Sequence, residues 1–145
     1  MSIVNRTLDS SEQRKVIGQR YGAVATGSTV IVSVIPYPCV LEKAQIAAFG
    51  HSGAPSYTLY VNRFITGSGF TTFAVSGAQL PPAFGTSGVP SVGMSLLAAG
   101  SSLLNLLAND VVTATAGVAN TNVLGLSIDL VVRPVQDIKL NFGLI

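Results

Sequence analysis

Short runs of β-branched and aromatic residues, separated by turn residues, recur along most of the chain. Clear examples are Thr29–Ile35, Tyr57–Ile65 and Val111–Ala116. In Tyr57–Ile65 the residues alternate so that Tyr57, Leu59 and their i+2 neighbours share one side of a strand. Because many short strands with little helical signal are typical of sandwiches and barrels, the sequence predicts an all-β fold.

The rest of the chain extends this series and leaves one segment ambiguous. Leucines in Met94–Ala108 also fit a helical stripe, whereas Gly100 in its middle favours two strands and a turn. About eight short strands indicate a sandwich or a barrel, and the long loop Gly77–Pro90 favours a crossed Greek-key or jelly-roll path over simple up-and-down hairpins. The other predicted strands are Val40–Phe49, Phe70–Ser76, Val92–Leu97, Leu103–Leu107 and Leu124–Val132.

Charged residues make up only 10% of the 145 residues, against about 25% in an average soluble protein. The 48% hydrophobic content argues against a disordered chain. A net charge of +2 from scattered cations makes nucleic-acid binding improbable. Since a monomer normally uses surface charge to remain apart from its neighbours, the low charge predicts that other molecules cover much of this surface.

The charge that exists is concentrated at the start of the chain. Residues 1–20 hold six of the fourteen charged side chains, which predicts an extended N-terminal arm over 1–22 and a β-sandwich domain over 23–145. Thr7–Glu12 has the residues to cap one helical turn, which Gly18 and Gly22 would end; a frayed tail is the alternative. Contacts with a capsid or a neighbouring copy are predicted for Ile3, Arg6, Leu8, Arg14, Lys15 and Arg20.

Two further segments are candidates for contacts. The loop Leu80–Phe84 presents an apolar tip stiffened by prolines, and its predicted contact residues are Pro81, Pro82 and Phe84. The C-terminal segment Arg133–Ile145 ends in an apolar run. Packing within the chain is the alternative for both segments.

Signals for secretion or for a membrane span are weak. The first 20 residues have no apolar stretch of the kind a signal peptide needs. The longest apolar run, Met94–Ala108, is interrupted by polar residues and falls short of about 20 residues. We therefore expect a protein that is made in the cytoplasm and has no membrane partner.

The inventory of reactive groups is small. The single histidine, His51, lies in a Gly-Ser-Pro turn, and its possible acidic partners Asp129 and Asp137 are distant in sequence. Cys39 has apolar neighbours and is expected to be a buried hydrophobic residue. We therefore predict no enzyme, no metal, no cofactor and no small-molecule substrate. A glycosidase would need two convergent carboxylates, for which the candidates are Glu42, Asp110 and Asp129.

Several short motifs of loop glycines and aliphatic residues follow one another along the chain: Gly50–Pro55, Leu59–Phe64, Ala83–Gly88, Ala108–Val112 and Val131–Lys139. In this order they resemble the head decoration, or cement, proteins of tailed bacteriophages. The resemblance covers roughly residues 40–142 and includes no chemically defined signature.

This resemblance implies a fold, a location and partners. Such proteins are jelly-roll-like sandwiches that bind the major capsid protein as homotrimers on the outside of an icosahedral head. Their N-terminal extensions often reach neighbouring subunits, while their contact residues do not form a fixed motif. The expected location is the outer surface of the virion head, after synthesis in the host cytoplasm.

The main alternative is a carbohydrate- or receptor-binding jelly-roll module of a head fibre or tail. Sugar sites usually present aromatic platforms with carboxylates or amides. This chain has no tryptophan, and Tyr37, Tyr57 and Tyr60 are placed in or beside strands. An enzyme on a sandwich scaffold is a third and weaker possibility, for which His51 would be essential.

Overall fold

Strands form nearly all of the regular structure. Among the described residues, the one other element is a single 3-10 turn at Ser102–Leu104. Two antiparallel sheets share one buried cluster, so the predicted all-β sandwich is confirmed. The computed structural model describes residues 14–25, 27–48, 50–51, 56–77, 91–117 and 123–135.

Twelve strands are present in these ranges, several of them only two or three residues long. They are β1 (Lys15–Arg20), β2 (Ala23–Val24), β3 (Thr29–Val34), β4 (Cys39–Ala47), β5 (Gly50–His51), β6 (Tyr57–Ile65), β7 (Gly69–Ala74), β8 (Ser91–Gly93), β9 (Asn105–Leu106), β10 (Val111–Ala116), β11 (Val123–Leu124) and β12 (Ser127–Pro134).

The strands form two main sheets and one small one. Sheet I has the order β1-β12-β4-β8, and β9 also pairs with β4. Sheet II has the order β3-β10-β6-β7, and a small third sheet has the order β2-β11-β5. Successive long strands mostly cross from one main sheet to the other, so non-adjacent parts of the chain become neighbours in both.

The core lies between the two main sheets and is built by alternation. In β6, Tyr57, Leu59 and Val61 are buried, as the sequence pattern predicts. In β12, Ile128 and Leu130 are fully buried and face the same interior. Strands β6, β10 and β12 therefore turn every second residue inward, and their intervening residues belong to the outer faces of the sandwich.

A β-bulge interrupts the pairing of β4 with β12. Lys43 lies opposite Val131 and Leu41 lies opposite Val132, so Glu42 is an extra residue on β4. A bulge of this kind bends its strand and changes the direction of the extra side chain. The Glu42 carboxylate is thereby placed near the end of sheet I where β1 begins.

The edge strand β3 carries a second bulge. Ser33 pairs with Val112 and Ile31 pairs with Thr113, which leaves Val32 as the extra residue. Val32 is buried in the core, whereas Ile31 is exposed on the outside. The bulge thus adds one residue, Val32, to the buried side of β3. The strand remains the outermost strand of sheet II.

Strands β6 and β10 match their predicted bounds, whereas Met94–Ala108 does not match either prediction. This segment contains no α-helix, and it is less extended than the two predicted strands, with a 3-10 turn before β9. Gly100 has a φ of 89°, a left-handed conformation that turns the chain. Leu104 and Leu106 are buried, whereas Leu103 and Leu107 are exposed. The backbone of this segment is irregular, and the positions of its buried leucines depend on that local backbone path.

The beginning of the sandwich also differs from the prediction. Residues 15–20, placed in the arm by the sequence, form β1, and all six pair with β12 in sheet I. Gly18 lies within this strand and does not end a helical turn; a Cβ there would approach Asp129 Oδ1 to 1.9 Å. The sequence placed the boundary between arm and sandwich after residue 22. The first strand of the sandwich lies before that boundary, and its residue Ile17 packs against the core. Residues 1–13, with the predicted cap Thr7–Glu12, lie outside the described ranges.

Candidate interaction surface

Charge is distributed unevenly over the sandwich. Apart from Arg63 and Asp110, every charged residue in the described ranges lies on or beside β1, β4 and β12 of sheet I. These residues are Arg14, Lys15, Arg20, Glu42, Lys43, Asp129 and Arg133.

Ion pairs link the three neighbouring strands β1, β12 and β4 of sheet I. The Glu42 carboxylate accepts hydrogen bonds from Arg14 and from Arg133, the latter at 2.9 Å. Arg20 Nη1 donates to Asp129 Oδ1 at 2.9 Å. Two predicted contact residues, Arg14 and Arg20, are therefore engaged within the chain, although both remain largely exposed.

The environment of Glu42 changes its acidity. Burial by itself raises the pKa of this carboxyl, but the hydrogen bonds and charges of Arg133 and Arg14 outweigh burial and hold the pKa below its ordinary value of 4.5. A pKa that is lower in the folded than in the unfolded state means that the charged form stabilises the fold. This contribution is present above about pH 4.5 and is lost as the pH falls through the folded pKa.

A carboxyl NMR titration tests this arrangement. We expect the Glu42 midpoint below 4.5 in the wild-type chain and a higher midpoint in the double variant Arg14→Ala/Arg133→Ala, where burial is no longer opposed. Lys43→Ala is the control, because it removes a neighbouring cation that donates no hydrogen bond to Glu42 among the described contacts. An unchanged midpoint in the double variant would contradict the assignment.

The outer face of sheet II has a different character. Strand register places its outward residues in four rows: Thr29–Thr115–Thr58, Ile31–Thr113–Tyr60–Ala74, Val34–Val111–Asn62–Thr72 and Phe64–Phe70. None of these residues is charged. We call this set the uncharged face. It spans all four strands of the sheet.

Hydrogen bonds between side chains cross the uncharged face. Asn62 Nδ2 donates to Thr113 Oγ1 at 3.0 Å and to the Val111 carbonyl at 3.2 Å. Its Oδ1 accepts from Thr72 Oγ1 at 2.7 Å. Thr29 Oγ1 and Thr115 Oγ1 are 2.9 Å apart. The amide of Asn62 thus has partners for both its donors and its acceptor.

One end of the uncharged face is apolar and strongly exposed. Phe64 and Phe70 face each other across the β6–β7 hairpin, with ring centroids 5.5 Å apart in a T-shaped arrangement. Their exposed fractions are 63% and 71%. Ile31 and Val34 on β3 are also more than half exposed. Large exposed hydrophobic residues that gather on one face mark a surface for contacts.

Two hollows of similar size lie on the surface of the sandwich, one on the uncharged face and one beside the ion pairs of sheet I. The hollow on the uncharged face is shallow, holds about 320 Å³ and is lined by Tyr60, Asn62 and four threonines. The other also holds about 320 Å³ and lies beside the Glu42–Arg133 pair, with Leu96 and Leu104 in its wall. Valine and leucine side chains form most of the wall of this second hollow.

A buried ion pair joins β6 to the turn before β10. Asp110 is 2% exposed and accepts from Arg63 Nη2 at 2.7 Å and from Arg63 Nε at 3.0 Å. It also accepts the Leu107 amide at 2.8 Å, while Arg63 reaches the Asn105 carbonyl at 3.0 Å. The Arg63 guanidinium lies 5.3 Å from the centre of the Phe73 ring. These contacts hold one end of the sandwich together.

The residues considered for chemistry do not converge in the described part of the chain. Cys39 is fully buried as predicted, and burial, with a contribution from the Asp110 charge, raises the pKa of its thiol to about 11. His51 lies in β5 opposite Val123, where a turn was predicted, and Asp129 pairs with Arg20. No group of three His, Cys, Asp or Glu residues in the described ranges is arranged to hold a metal ion. No helix there is both long and apolar enough to span a bilayer.

Most of the predicted contact residues lie outside the described ranges. These are Ile3, Arg6, Leu8, Pro81, Pro82 and Phe84, together with the loop over 78–90 and the tail over 136–145. Lys15 lies in β1 opposite Val132. The uncharged face was not identified from the sequence. About half of its residues are the outward residues of β6 and β10, which the alternation in these two strands indicates. The other half requires knowledge of which strands are neighbours.

Comparison of the sequence with protein-family models gives no match, and no curated protein matches it significantly. The function therefore has to be inferred from the surface itself.

Proposed function

We propose that this chain is a virion structural protein: a decoration, or cement, protein that binds the outside of an assembled icosahedral phage head as a homotrimer and stabilises it. One observation carries the proposal. In the described ranges, charge is confined to sheet I and to the Arg63–Asp110 pair, while the outer face of sheet II offers threonine, asparagine and aromatic residues without any charge. Depletion of charge with aromatic enrichment is typical of the centre of a protein interface.

We infer a jelly-roll path from the strand order. Apart from the short β9, which pairs with β4, each main sheet has a path of four strands, and the chain passes from β1 in sheet I to β3 in sheet II, back to β4, and again to β6. Jelly rolls are double sheets of eight strands built from two such crossed motifs. This order supports the expectation from the sequence resemblance.

Stabilisation of a shell requires many simultaneous contacts and no reactive group. A symmetric oligomer that touches several capsid subunits gains avidity through effective concentration, even when each contact is weak. If it binds the assembled shell and not the separate subunits, its binding energy adds to the stability of the shell. A rigid sandwich with one charged and one uncharged face suits this role, because the two faces can engage different partners.

The carbohydrate-binding alternative has one feature in its favour, the hollow beside Tyr60. The amide of Asn62, however, is already paired with Thr72, Thr113 and the Val111 carbonyl. A sugar site needs polar groups that are free to bond with the ligand. A specific hit on a glycan array would nevertheless favour this alternative over the decoration role.

Native mass and co-sedimentation test the proposal together. We expect a mass of about 45 kDa, three times the 14.9 kDa chain, and pelleting with undecorated tailed-phage heads at micromolar concentration. Unassembled capsid subunits are the control and should bind less, because they lack the junctions between capsomers. A monomer that stays in the supernatant with the heads would contradict the proposal.

A further inference from the structure

We propose that the uncharged face of sheet II is the contact surface between copies of this chain. The inference deepens the proposed function and rests on its oligomer. A second copy of the chain covers this face, and the capsid and sugars bind elsewhere if they bind.

The distribution of charge favours a second copy on this face over sheet I. Around a rotation axis, copies bring equivalent surfaces close to one another, so a charged residue near the axis meets its own equivalent. Sheet I presents exposed cations, including Lys15, Lys43 and Arg20, that would then repel one another. The uncharged face contains no group that would be repelled in this way. Of the two outer faces, it is the one suited to self-contact.

The hydrogen bonds on the uncharged face reduce the cost of covering it. A polar group that loses water without gaining a partner is destabilising. Here Asn62 is bonded to Thr113 and Thr72, and Thr29 is bonded to Thr115, all within one chain. These groups keep their partners when another copy excludes water. The same pairing leaves few free donors and acceptors for a sugar.

The apolar end of the face supplies an anchor. Phe64 and Phe70 are 63% and 71% exposed, and each ring has a large apolar area to bury. Interface energy commonly concentrates on a few aromatic residues surrounded by near-neutral contacts. The threonine rows beside the two rings provide such a surround.

The size of the face suits an interface between copies. Four strands spaced about 4.8 Å apart, each contributing about six residues with a rise of about 3.3 Å, give a plan area of about 400 Å². This plan area is about half of the roughly 800 Å² of accessible surface that each partner buries in a standard interface. The projecting aromatic side chains increase the accessible area beyond the plan area.

Sedimentation analysis of the full chain with two matched variants tests the inference. Thr72 is exposed in the uncharged face, on the outermost strand β7 opposite Asn62, and Gln45 is exposed on the outer face of sheet I, so Thr72→Arg and Gln45→Arg add the same charge to opposite faces. We expect Thr72→Arg to weaken association at least tenfold and to give mainly the 14.9 kDa monomer, while Gln45→Arg keeps the wild-type mass. Phe70→Ala should weaken association in the same direction. A cooperative thermal unfolding transition in each variant would show that the variants remain folded.

The possible outcomes separate this inference from the proposed function. The inference is overturned if the oligomer persists in both Thr72→Arg and Phe70→Ala. It is also overturned if Gln45→Arg is the one variant that dissociates the oligomer. Either result leaves the proposed decoration role unaffected. A wild-type dimer that Thr72→Arg dissociates supports the face and overturns the homotrimer. A wild-type monomer overturns both. Glycan binding that is lost in Thr72→Arg without any change in mass identifies a sugar as the occupant and overturns the inference.

Discussion

Replacing Asp110 with alanine is expected to lower the free energy of unfolding by about 3 kcal/mol, because it leaves the Arg63 guanidinium without its partner in a largely buried site. The loss is not limited to the ion pair. The Leu107 amide loses its acceptor, and the turn before β10 loses the group that links it to β6. Since Arg63 remains 23% exposed, water relieves part of the cost, which places the effect near the lower end of the range for broken buried pairs.

Urea denaturation of the wild-type chain, Asp110→Ala and Asp129→Ala measures this effect. Asp129 is the matched control, because it is also an aspartate paired with an arginine but belongs to an exposed pair on sheet I. Its replacement should cost less than about 1 kcal/mol. Similar losses for the two variants would show that the Asp110 network does not hold the sandwich end together.

Replacing Leu130 with alanine is expected to cost about 3 kcal/mol or more through loss of buried apolar volume. Leu130 is fully buried and lies in β12, which pairs with β1 on one side and β4 on the other. Regular hydrogen bonding on both sides limits the inward collapse of the backbone, so much of the cavity should remain. A domain of this size has a total stability of about 5–15 kcal/mol, and the variant should therefore be visibly less stable.

The control for this prediction is Leu107→Ala. Leu107 is 47% exposed, so its truncation removes little buried area and should cost less than about 1 kcal/mol. Thermal and urea unfolding of both variants check the contrast. Equal destabilisation of the two would mean that the interior between the sheets is loosely packed around Leu130.

The fold was predictable from the sequence where alternation is strong. Strands β6 and β10 were found at their observed bounds, because burial on one side imposes a period of two on the residues. Met94–Ala108 was not predictable in the same way. Its leucines satisfy several periods at once, and the burial of Leu104 and Leu106 depends on β4 of sheet I, which is distant in sequence.

The candidate surface was less predictable than the fold. Thr113 and Tyr60 each appear as outward residues of their own strands, but their row also contains Ile31, which is far away in the chain. No local pattern indicates that β3 and β6 both pair with β10. The sequence instead drew attention to the charged N-terminal residues, and the structure engages Arg14 and Arg20 in ion pairs within the chain.

The bulge in β3 makes this strand a poor template for the addition of further strands, which is the step that builds fibres. β3 is an outermost strand of sheet II, and a flat β-branched edge presents unpaired backbone groups on which further strands can add without limit. The extra residue Val32 interrupts that edge, and the Tyr21 hydroxyl donates to the Ile31 carbonyl on it. Both features disfavour strand addition at this edge, so copies that met at sheet II would contact each other through side chains on its outer face.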